Sequence, residues 1–282
     1  MKKGTAKKAS EESIAIIGGG NIGQAIARGL ATSGKFAPGQ IIITRRQAGL
    51  LRHLALDGFV TMSDNREATR RAKTVLISVL PQQLDGVLRE IGPGLIPGRH
   101  LVISIVTGAT TDEIASQIKK KIPLIRAMPN LAIVIGESMT CIASKTASPR
   151  EIEAAMEIFN TVGKTLLLNE EDMVPATALC ACGVAFFLRS IRSASQGGIE
   201  IGFHSDDALL MAAQTAKGSA ALILEQGSHP EAEIDKVTSP RGCTISGLNE
   251  MEHMGFSSAM IKGITTASEK AAKLYQREGR ER

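Results

Sequence analysis

Short apolar runs alternate with amphipathic segments along the first 168 residues of the chain. The runs are rich in Ile, Val and Leu, which is typical of strands buried on both faces of a parallel sheet. Between them, apolar residues recur at helical spacing, for example over 84–91 and 152–159. This alternation predicts an α/β fold with a doubly wound, mostly parallel sheet. The predicted strands lie at 14–17, 41–43, 59–61, 74–79, 100–105, 123–128, 139–143 and 164–168.

The pattern changes in the second half of the chain, where no further strand is predicted from residue 172 onward. Helical spacing instead predicts helices at 184–203, 206–225 and 257–275. Gly202 marks a break between the first two, and acidic residues at the start of the second suit the helix dipole. The sequence therefore predicts a parallel-sheet domain followed by an all-α domain.

A glycine-rich turn joins the first predicted strand to the first helix. The sequence GGGNIG at 18–23 fits the dinucleotide pattern G-x-G-x-x-G in the strand–turn–helix context that the pattern needs. Gly18 permits the tight turn, Gly20 lets the backbone approach a pyrophosphate, and Gly23 lets helix and strand pack closely. N–H groups at the helix start then face the phosphates. The alternative is a turn without a ligand, but the combined context favours a dinucleotide.

The end of the second strand favours a phosphorylated dinucleotide. Thr44, Arg45 and Arg46 follow this strand at the point where an NAD site usually carries an acid for the ribose 2′-hydroxyl. An arginine fork suits a 2′-phosphate through charge-assisted hydrogen bonds. We therefore expect NADPH as the cofactor, with NADH as the second choice. The competing interpretation is that both arginines are merely solvated at a helix start.

Composition and charge narrow the class of protein. At 282 residues and 43% hydrophobic composition, the chain is long enough for two domains with a sizeable core. The net charge of +5 comes partly from the two polar ends of the chain, and aromatic residues are scarce, so no nucleic-acid partner is expected. The N-terminus lacks the apolar segment of a signal peptide, and no run of 18 apolar residues exists. We therefore expect no membrane partner.

The four cysteines give no sign of a metal centre. Cys141, Cys180, Cys182 and Cys243 lack zinc-site spacing. Cys180 and Cys182 are expected to point apart on a helix, which argues against a metal or disulfide pair. Reduced thiols in a cytoplasmic protein are the simplest interpretation, and no metal site is predicted.

Two strand ends and one loop carry candidate chemistry. Residues 78–82 and 126–130 each follow or end a predicted strand, and the carboxyl ends of parallel strands line a ligand crevice. In the second half, a Ser-Pro turn at 239–240 and a glycine precede a helix predicted to begin near Thr244. The helix N-terminus and the nearby hydroxyls suit a small carboxylate. An ordinary loop with a helix cap is the alternative.

Four motifs spread over nearly the whole chain resemble one known family. They are GGGNIG at 18–23, MPN at 128–130 with GE at 136–137, DKVTSP at 235–240 and G-x-TI-x-GL at 242–248. On these motifs the chain resembles the pyrroline-5-carboxylate reductases. The resemblance implies an N-terminal Rossmann domain for NAD(P)H and a C-terminal helical dimerisation domain. It also implies reduction of the cyclic imino acid L-1-pyrroline-5-carboxylate to L-proline, the last step of proline biosynthesis.

The same resemblance implies roles for individual residues. Substrate-binding residues are expected in the 239–244 loop, with Thr244 and Ser239 as the catalytic ones: Ser239, Arg241, Gly242, Cys243 and Thr244. Cofactor-binding residues are expected at the sheet edge: Gly18, Gly20, Asn21, Ile22, Gly23, Thr44, Arg45, Arg46, Asn65, Val79, Leu80, Pro81 and Asn130. The expected reaction is hydride transfer to the C=N carbon, with no general acid identified.

The chain departs from the family pattern at several expected site positions. Leu80 stands in place of a lysine, Leu131-Ala132 in place of Thr-Pro, and Arg241 in place of the first glycine of the substrate loop. The sequence at 180–185 is CACGVA where the family has SGSGPA. These departures leave two alternatives open. One is a paralogous NADPH-dependent imine or ketone reductase with a different small carboxylate substrate, and the other is a non-catalytic cofactor-binding paralogue.

The predicted organisation has three parts. A flexible basic tail covers 1–12, a dinucleotide-binding Rossmann domain covers 13–168, and a helical dimerisation and substrate domain covers 169–282. Small residues that allow close helix packing recur at 208–221. They favour a homodimer, or a higher homo-oligomer built of dimers, over a compact monomer.

Overall fold

The structure is a computed structural model that describes residues 13–278, with side chains described through residue 272. The predicted tail at 1–12 lies outside the described residues. The described chain divides into two compact units, one of residues 13–181 with 271–278 and one of residues 182–270. We call them the sheet unit and the helical unit.

One eight-stranded sheet organises the sheet unit. The strand order is β3-β2-β1-β4-β5-β6-β7-β8, and every neighbouring pair is parallel except β6 and β7. The prediction of a doubly wound, mostly parallel sheet is confirmed. All eight predicted strands form, with ends that differ by a residue or two. They are β1 (Ile14–Ile17), β2 (Ile41–Thr44), β3 (Val60–Met62), β4 (Thr74–Ile77), β5 (Leu101–Ser104), β6 (Leu124–Met128), β7 (Ser138–Ala143) and β8 (Gly163–Leu167).

Helices connect these strands, and local sequence sets where several of them begin. Thr110 and Glu113 form a capping box at one helix start, and Ser148 and Glu151 form another with Pro149 in the first turn. The helices are α1 (Asn21–Thr32), α2 (Arg52–Leu56), α3 (Asn65–Arg71), α4 (Leu84–Ile91), α5 (Thr111–Ile118), α6 (Pro149–Asn160) and α7 (Met173–Ala176). Short 3₁₀ turns lie at Pro38–Gln40, Ala48–Leu51, Pro81–Gln83, Gly92–Gly94, Leu131–Ile135 and Glu170–Asp172, and a π-helical turn lies at Thr177–Cys182.

The sheet is covered by apolar side chains on both faces. Alternate residues of β1 serve different layers: Ile14 and Ile16 belong to one buried cluster, and Ala15 and Ile17 belong to the other. This two-sided burial explains why the strands appear in the sequence as continuous apolar runs rather than as alternating patterns.

The segment after β8 packs onto the sheet unit. Met173 joins a third apolar cluster with Met128 and Cys141. Arg126 on β6 forms an ion pair with Glu170, with 2.7 Å between Nη1 and Oε1, and both side chains are more than nine-tenths buried. Arg126, the first residue of the candidate stretch 126–130, is thus paired inside the protein. The two compact units divide at 181/182, and the predicted boundary at 168/169 concerns function rather than compactness. The functional assignment of 13–168 and 169–282 stays a prediction.

The helical unit contains no strand, in agreement with the prediction for the described residues from 172 to 278. Two of its helices pack closely, because a Cβ atom added to Gly198 would lie 3.0 Å from the Cβ atom of Ala208. The small turn at Gly202, with φ of +109°, separates them as predicted. The helices are α8 (Gly183–Glu200), α9 (Ser205–Gln226), α10 (Pro230–Lys236), α11 (Cys243–His253) and α12 (Phe256–Glu278). No pattern in the sequence predicted α7, the π-helical turn or α10.

The helical unit has almost no buried interior of its own. Of residues 182–270, all of which the structure describes, only Gly183, Ser195 and Ala208 are buried. Large apolar side chains on α8 and α9 are instead exposed, among them Phe187 and Leu210. The chain by itself leaves this apolar surface uncovered.

One helical stretch, Glu170–Glu200, is long and apolar enough to cross a membrane by length and composition. Helices that pack against protein share these properties. Its first part packs on the sheet unit through Met173, and its second part carries the exposed Phe187.

Candidate active site

The glycine turn after β1 has the geometry that its sequence predicts. Gly18 has φ of +111°, and a Cβ atom there would lie 2.1 Å from the carbonyl oxygen of Ser78. A Cβ atom on Gly23 would lie 2.3 Å from the carbonyl oxygen of Gly18. No described atom lies within 4 Å of the Cβ position of Gly20. The first and last glycines are thus required by packing, and the middle one faces open space.

That open space lies at the start of α1. Gly20 is the N-cap residue, no described side chain caps the helix, and its first turn carries no acidic residue. The N–H groups of Asn21 and Ile22 belong to the first turn, where a helix has no internal acceptors for them. A helix N-terminus with this arrangement attracts an anion. These residues therefore fit the pyrophosphate of a dinucleotide.

The turn is held against β2 by its backbone. The amides of Gly18 and Gly19 donate to the carbonyl oxygen of Thr44, over 3.2 and 2.7 Å. Thr44 itself is buried. The observed role of Thr44 is to hold the turn, and its contact with a cofactor stays a prediction.

The two arginines after β2 differ in their surroundings. Arg45 is half-buried, and its Nη1 donates to the carbonyl oxygen of Gly19 over 3.3 Å. Arg46 is exposed. Both follow the carboxyl end of β2, beside the end of β1 with which it pairs. This places positive charge next to the glycine turn.

Two further side chains, which no sequence motif indicated, fix the same turn. Gln24 Nε2 donates to the carbonyl oxygen of Gly19 over 3.0 Å, and Gln24 Oε1 lies 3.0 Å from His53 Nε2. Gln24 is one helical turn beyond Gly20, a spacing that points back toward the helix start. No sequence signal marks His53, because its contact joins α2 to α1.

The end of β4 lies directly against the glycine turn. Val79 Cγ1 would be 3.0 Å from a Cβ atom on Gly18. Leu80 follows with 65% of its surface exposed, and Pro81 begins a 3₁₀ turn. The structure thus brings 79–81 and 18–23 together. An apolar side chain faces solvent at Leu80, where the family pattern has a cation.

Asn65 and Asn130 are both engaged within the protein. Asn65 Nδ2 donates to Glu90 Oε2 over 2.8 Å. Asn130 Oδ1 accepts from the amide of Ala132 over 3.1 Å, and its Nδ2 donates to the carbonyl oxygen of Cys180 over 3.3 Å. Asn130 therefore braces the end of β6 against the π-helical turn. Cofactor contacts by these two residues stay predictions.

The 239–244 loop forms a tight turn before α11. The amide of Gly242 donates to the carbonyl oxygen of Ser239 over 2.9 Å. A Cβ atom on Gly242 would lie 2.5 Å from Ser239 Oγ, so only glycine fits under this hydroxyl. Arg241 has φ of +58°, a left-handed conformation that favours glycine, and its side chain is exposed. The loop keeps the backbone shape of a glycine turn although it carries arginine.

The loop ends at an open helix N-terminus. Gly242 is the N-cap residue of α11, and no described side chain caps it. Cys243 and Thr244 form the first turn, one residue earlier than predicted. The first-turn N–H groups of α11 and the hydroxyl-bearing residues Ser239 and Thr244 therefore belong to one short stretch of chain. Such a stretch suits a carboxylate.

One groove of about 650 Å³ lies along α1 and the 131–135 turn. Asn21, from the predicted cofactor-binding set, lines this groove together with Arg28 and Ile135.

Among the described residues, no group of three or more His, Cys, Asp or Glu side chains is arranged to hold a metal ion.

Two family models match the chain, one in each half. Pyrroline-5-carboxylate reductase dimerisation matches residues 170–274. NADP oxidoreductase, coenzyme F420-dependent, matches residues 13–108. The first supports homo-oligomerisation, and the second supports an oxidoreductase with a nicotinamide cofactor.

Individual relatives agree with both matches. Pyrroline-5-carboxylate reductase 1 of Dictyostelium discoideum is 50% identical over 280 residues, which cover 95% of this chain and 51% of that protein. Pyrroline-5-carboxylate reductase 2 of the same organism is 46% identical over 280 residues, which cover 94% of this chain and 93% of that protein. The chain thus spans about half the length of the first relative and nearly all of the second.

A solved structure supports the fold over the same length. The pyrroline-5-carboxylate reductase of Coxiella burnetii superposes with a TM-score of 0.90 at 28% identity, covering 94% of this chain and 99% of that chain. With the nucleotide-type glycine turn in the sheet unit and the dimerisation match over the helical unit, these relatives show that the chain belongs to the pyrroline-5-carboxylate reductase family.

Proposed function

We propose that the chain reduces L-1-pyrroline-5-carboxylate to L-proline with NADPH, the last step of proline biosynthesis. The observation that carries the proposal is the 239–244 loop, where Gly242 lies under the Ser239 hydroxyl and opens the N-terminus of α11. A small carboxylate is the ligand chemistry that this loop suits. The family and the names of the relatives support the same reaction.

The loop residues bind and orient the substrate. In this proposal the carboxylate accepts hydrogen bonds from the backbone N–H groups of Cys243 and Thr244, in the first turn of α11, and from the Ser239 hydroxyl. Arg241 adds a positive charge at the rim of the loop. The Thr244 hydroxyl contacts the imine nitrogen and holds its proton, because the protonated imine is the better hydride acceptor. Correct positioning of reacting atoms can contribute about 7–11 kcal/mol to a rate enhancement.

The sheet edge holds the cofactor. The N–H groups of Asn21 and Ile22 bind the pyrophosphate in front of Gly20. Arg45 and Arg46 bind the ribose 2′-phosphate through charge-assisted hydrogen bonds, which favours NADPH over NADH. When bound there, the cofactor supplies the hydride that reduces the C=N carbon.

Assembly and location complete the proposal. The uncovered apolar surface of the helical unit supports a homodimer, or a larger assembly built of dimers. The four cysteines are free thiols, as in a reducing compartment, which supports a cytoplasmic location.

A steady-state assay of proline formation tests the proposed reaction. We expect turnover of pyrroline-5-carboxylate with NADPH, and a tenfold to hundredfold lower kcat/KM in Thr244→Val, because a hydrogen bond to a charged group contributes about 1.5–3 kcal/mol. Thr238→Val is the matched control, since the Thr238 hydroxyl donates to the Ile234 carbonyl oxygen at 2.8 Å. Tight NADPH binding without turnover of any cyclic imine would instead support the non-catalytic alternative.

The same assay tests the cofactor assignment. We expect a higher kcat/KM with NADPH than with NADH. The double substitution Arg45→Ala/Arg46→Ala is expected to lower the value for NADPH at least tenfold and to change that for NADH little. Equal values for the two cofactors in the unchanged protein would refute the role of these arginines.

A further inference from the structure

Two cysteines that are 39 positions apart in the sequence meet in the sheet unit. Cys141 lies on β7 and is 1% exposed, and Cys180 lies in the π-helical turn Thr177–Cys182 and is half-buried. Their Sγ atoms are 3.8 Å apart. A disulfide bond has a length of about 2.05 Å, so the sulfur atoms need to close by less than 2 Å. Side-chain rotation and a small backbone shift cover such a distance.

The backbone around the two thiols is held by several contacts. Thr177 Oγ1 lies 2.8 Å from Met128 Sδ, and Asn130 Nδ2 donates to the carbonyl oxygen of Cys180. Cys141 and Met128 also share an apolar cluster with Met173. The π-helical turn is therefore fixed against β6 and β7. These contacts of the surrounding residues keep the two thiols adjacent.

The close contact also makes one thiol more reactive. The hydrogen bond from Cys141 lowers the pKa of Cys180 to about 7, although partial burial opposes this shift. The same interaction, with burial, raises the pKa of Cys141. Part of the half-buried Cys180 is thus thiolate at neutral pH, and the thiolate is the form that attacks oxidants.

We propose that Cys141 and Cys180 are a redox pair that closes to a reversible disulfide when a peroxide supplies the oxidising equivalents. The Cys180 thiolate attacks one peroxide oxygen, the O–O bond breaks, and the leaving hydroxide takes up a proton to become water. Cys141 then attacks the Cys180 sulfur of the sulfenic acid. The S–S bond forms, the S–O bond breaks, and a second water leaves with the Cys141 proton. Two thiols are oxidised by two electrons, and one peroxide is reduced to two waters.

Closure changes the support of Asn130. Drawing Cys180 toward β7 displaces the carbonyl oxygen that accepts from Asn130 Nδ2. Asn130 follows β6 at the sheet edge assigned above to the cofactor, and π-helical turns often lie at functional sites. We therefore expect the oxidised protein to be less active. This activity readout rests on the proposed function, whereas formation of the disulfide does not.

Peptide mapping tests the cross-link directly. The reduced full-length protein is treated with one equivalent of hydrogen peroxide, quenched, digested without reductant and analysed by mass spectrometry. We expect a peptide pair joined through Cys141 and Cys180, and a fall in the number of free thiols from four to two. Cys182→Ser is the matched control, because it removes a thiol from the same turn and should retain the cross-link. Cys180→Ser and Cys141→Ala should lack it.

Three results would overturn the proposal. They are a cross-link that uses Cys182 or Cys243, a link between two chains, or oxidation that stops at the sulfenic acid. Melting curves of the reduced variants establish that each is folded, and Cys180→Ser retains the test if Cys141→Ala does not fold.

The activity assay tests the effect of closure on Asn130. Oxidation should lower kcat/KM at least threefold, and dithiothreitol should restore it. In Cys180→Ser, peroxide should leave kcat/KM unchanged. An unchanged kcat/KM in a fully cross-linked sample would refute the effect on Asn130, and absence of all turnover would refute the proposed function while leaving the mapped cross-link standing.

Discussion

The two units of this chain bury their apolar residues in opposite ways. In the sheet unit, β1, β2, β4 and β5 are almost entirely buried, and side chains as large as Phe159 are fully enclosed. In the helical unit only three residues are buried, none larger than serine, while Phe187, Leu210 and Leu224 are 60%, 68% and 77% exposed. The sheet unit thus forms a complete apolar core from a single chain. The helical unit carries many large apolar side chains, but no part of the described chain covers them.

The exposed apolar side chains indicate that the helical unit is the part of the chain that associates with another copy. Many large exposed apolar side chains on one helical unit are typical of an association surface. The match of residues 170–274 to a dimerisation domain agrees with that assignment. The sheet unit therefore buries its apolar residues within one chain, and the helical unit provides the surface for homo-oligomerisation.

The largest expected effect follows from placing charge on the uncovered surface. The double substitution Phe187→Glu/Leu210→Glu should raise the dissociation constant of the assembly more than a hundredfold, since burying unpaired carboxylates costs about 3 kcal/mol or more. Light scattering at micromolar concentration measures the mass. Leu56→Glu is the control, because Leu56 is 80% exposed but lies on α2 of the sheet unit. An unchanged mass in the double variant would contradict the assignment.

A smaller effect is expected from breaking the glycine turn of the sheet unit. Gly18→Ala should lower the free energy of unfolding by about 2–3 kcal/mol, because the new Cβ atom meets the Ser78 carbonyl at 2.1 Å and φ is +111°. Gly20→Ala is the matched substitution, since open space surrounds its Cβ position. It should leave the unfolding curve nearly unchanged and raise the NADPH dissociation constant. Equal losses of stability in both variants would contradict the observation that a Cβ atom on Gly20 meets no neighbouring atom.

The smallest effect concerns the strained arginine of the helical unit. Arg241→Gly removes the side chain but keeps a residue that accepts φ of +58°. We expect the melting temperature to rise slightly, and the KM for pyrroline-5-carboxylate to rise twofold to fivefold, as for an exposed charge contributing about 0.5–1 kcal/mol. A KM equal to that of the unchanged protein would identify Arg241 as a solvated loop residue. A lower melting temperature would show that the left-handed conformation is not strained.

Local patterns predicted well wherever their cause is local. The strands and the start of α1 were found because each depends on a few consecutive side chains and on glycines with fixed steric roles. The π-helical turn was missed because its sequence, TALCAC at 177–182, has the apolar character of an ordinary helix. The expectation that Cys180 and Cys182 point apart stays a prediction, and no sequence signal indicated that Cys180 contacts Cys141, because the two residues are far apart in the sequence.

The sequence alone determined the order of the eight strands, the glycine turn after β1 and the glycine-dependent loop before α11, because these follow from periodicity and from backbone sterics within a few residues. Only the tertiary structure decided which distant groups meet. It joined Asn130 to Cys180, Arg126 to Glu170 and Gln24 to Gly19. It also showed that the apolar residues of 182–270 lie on an outer surface, which periodicity cannot reveal because a helix face looks the same in sequence whether its partner is the same chain or another copy.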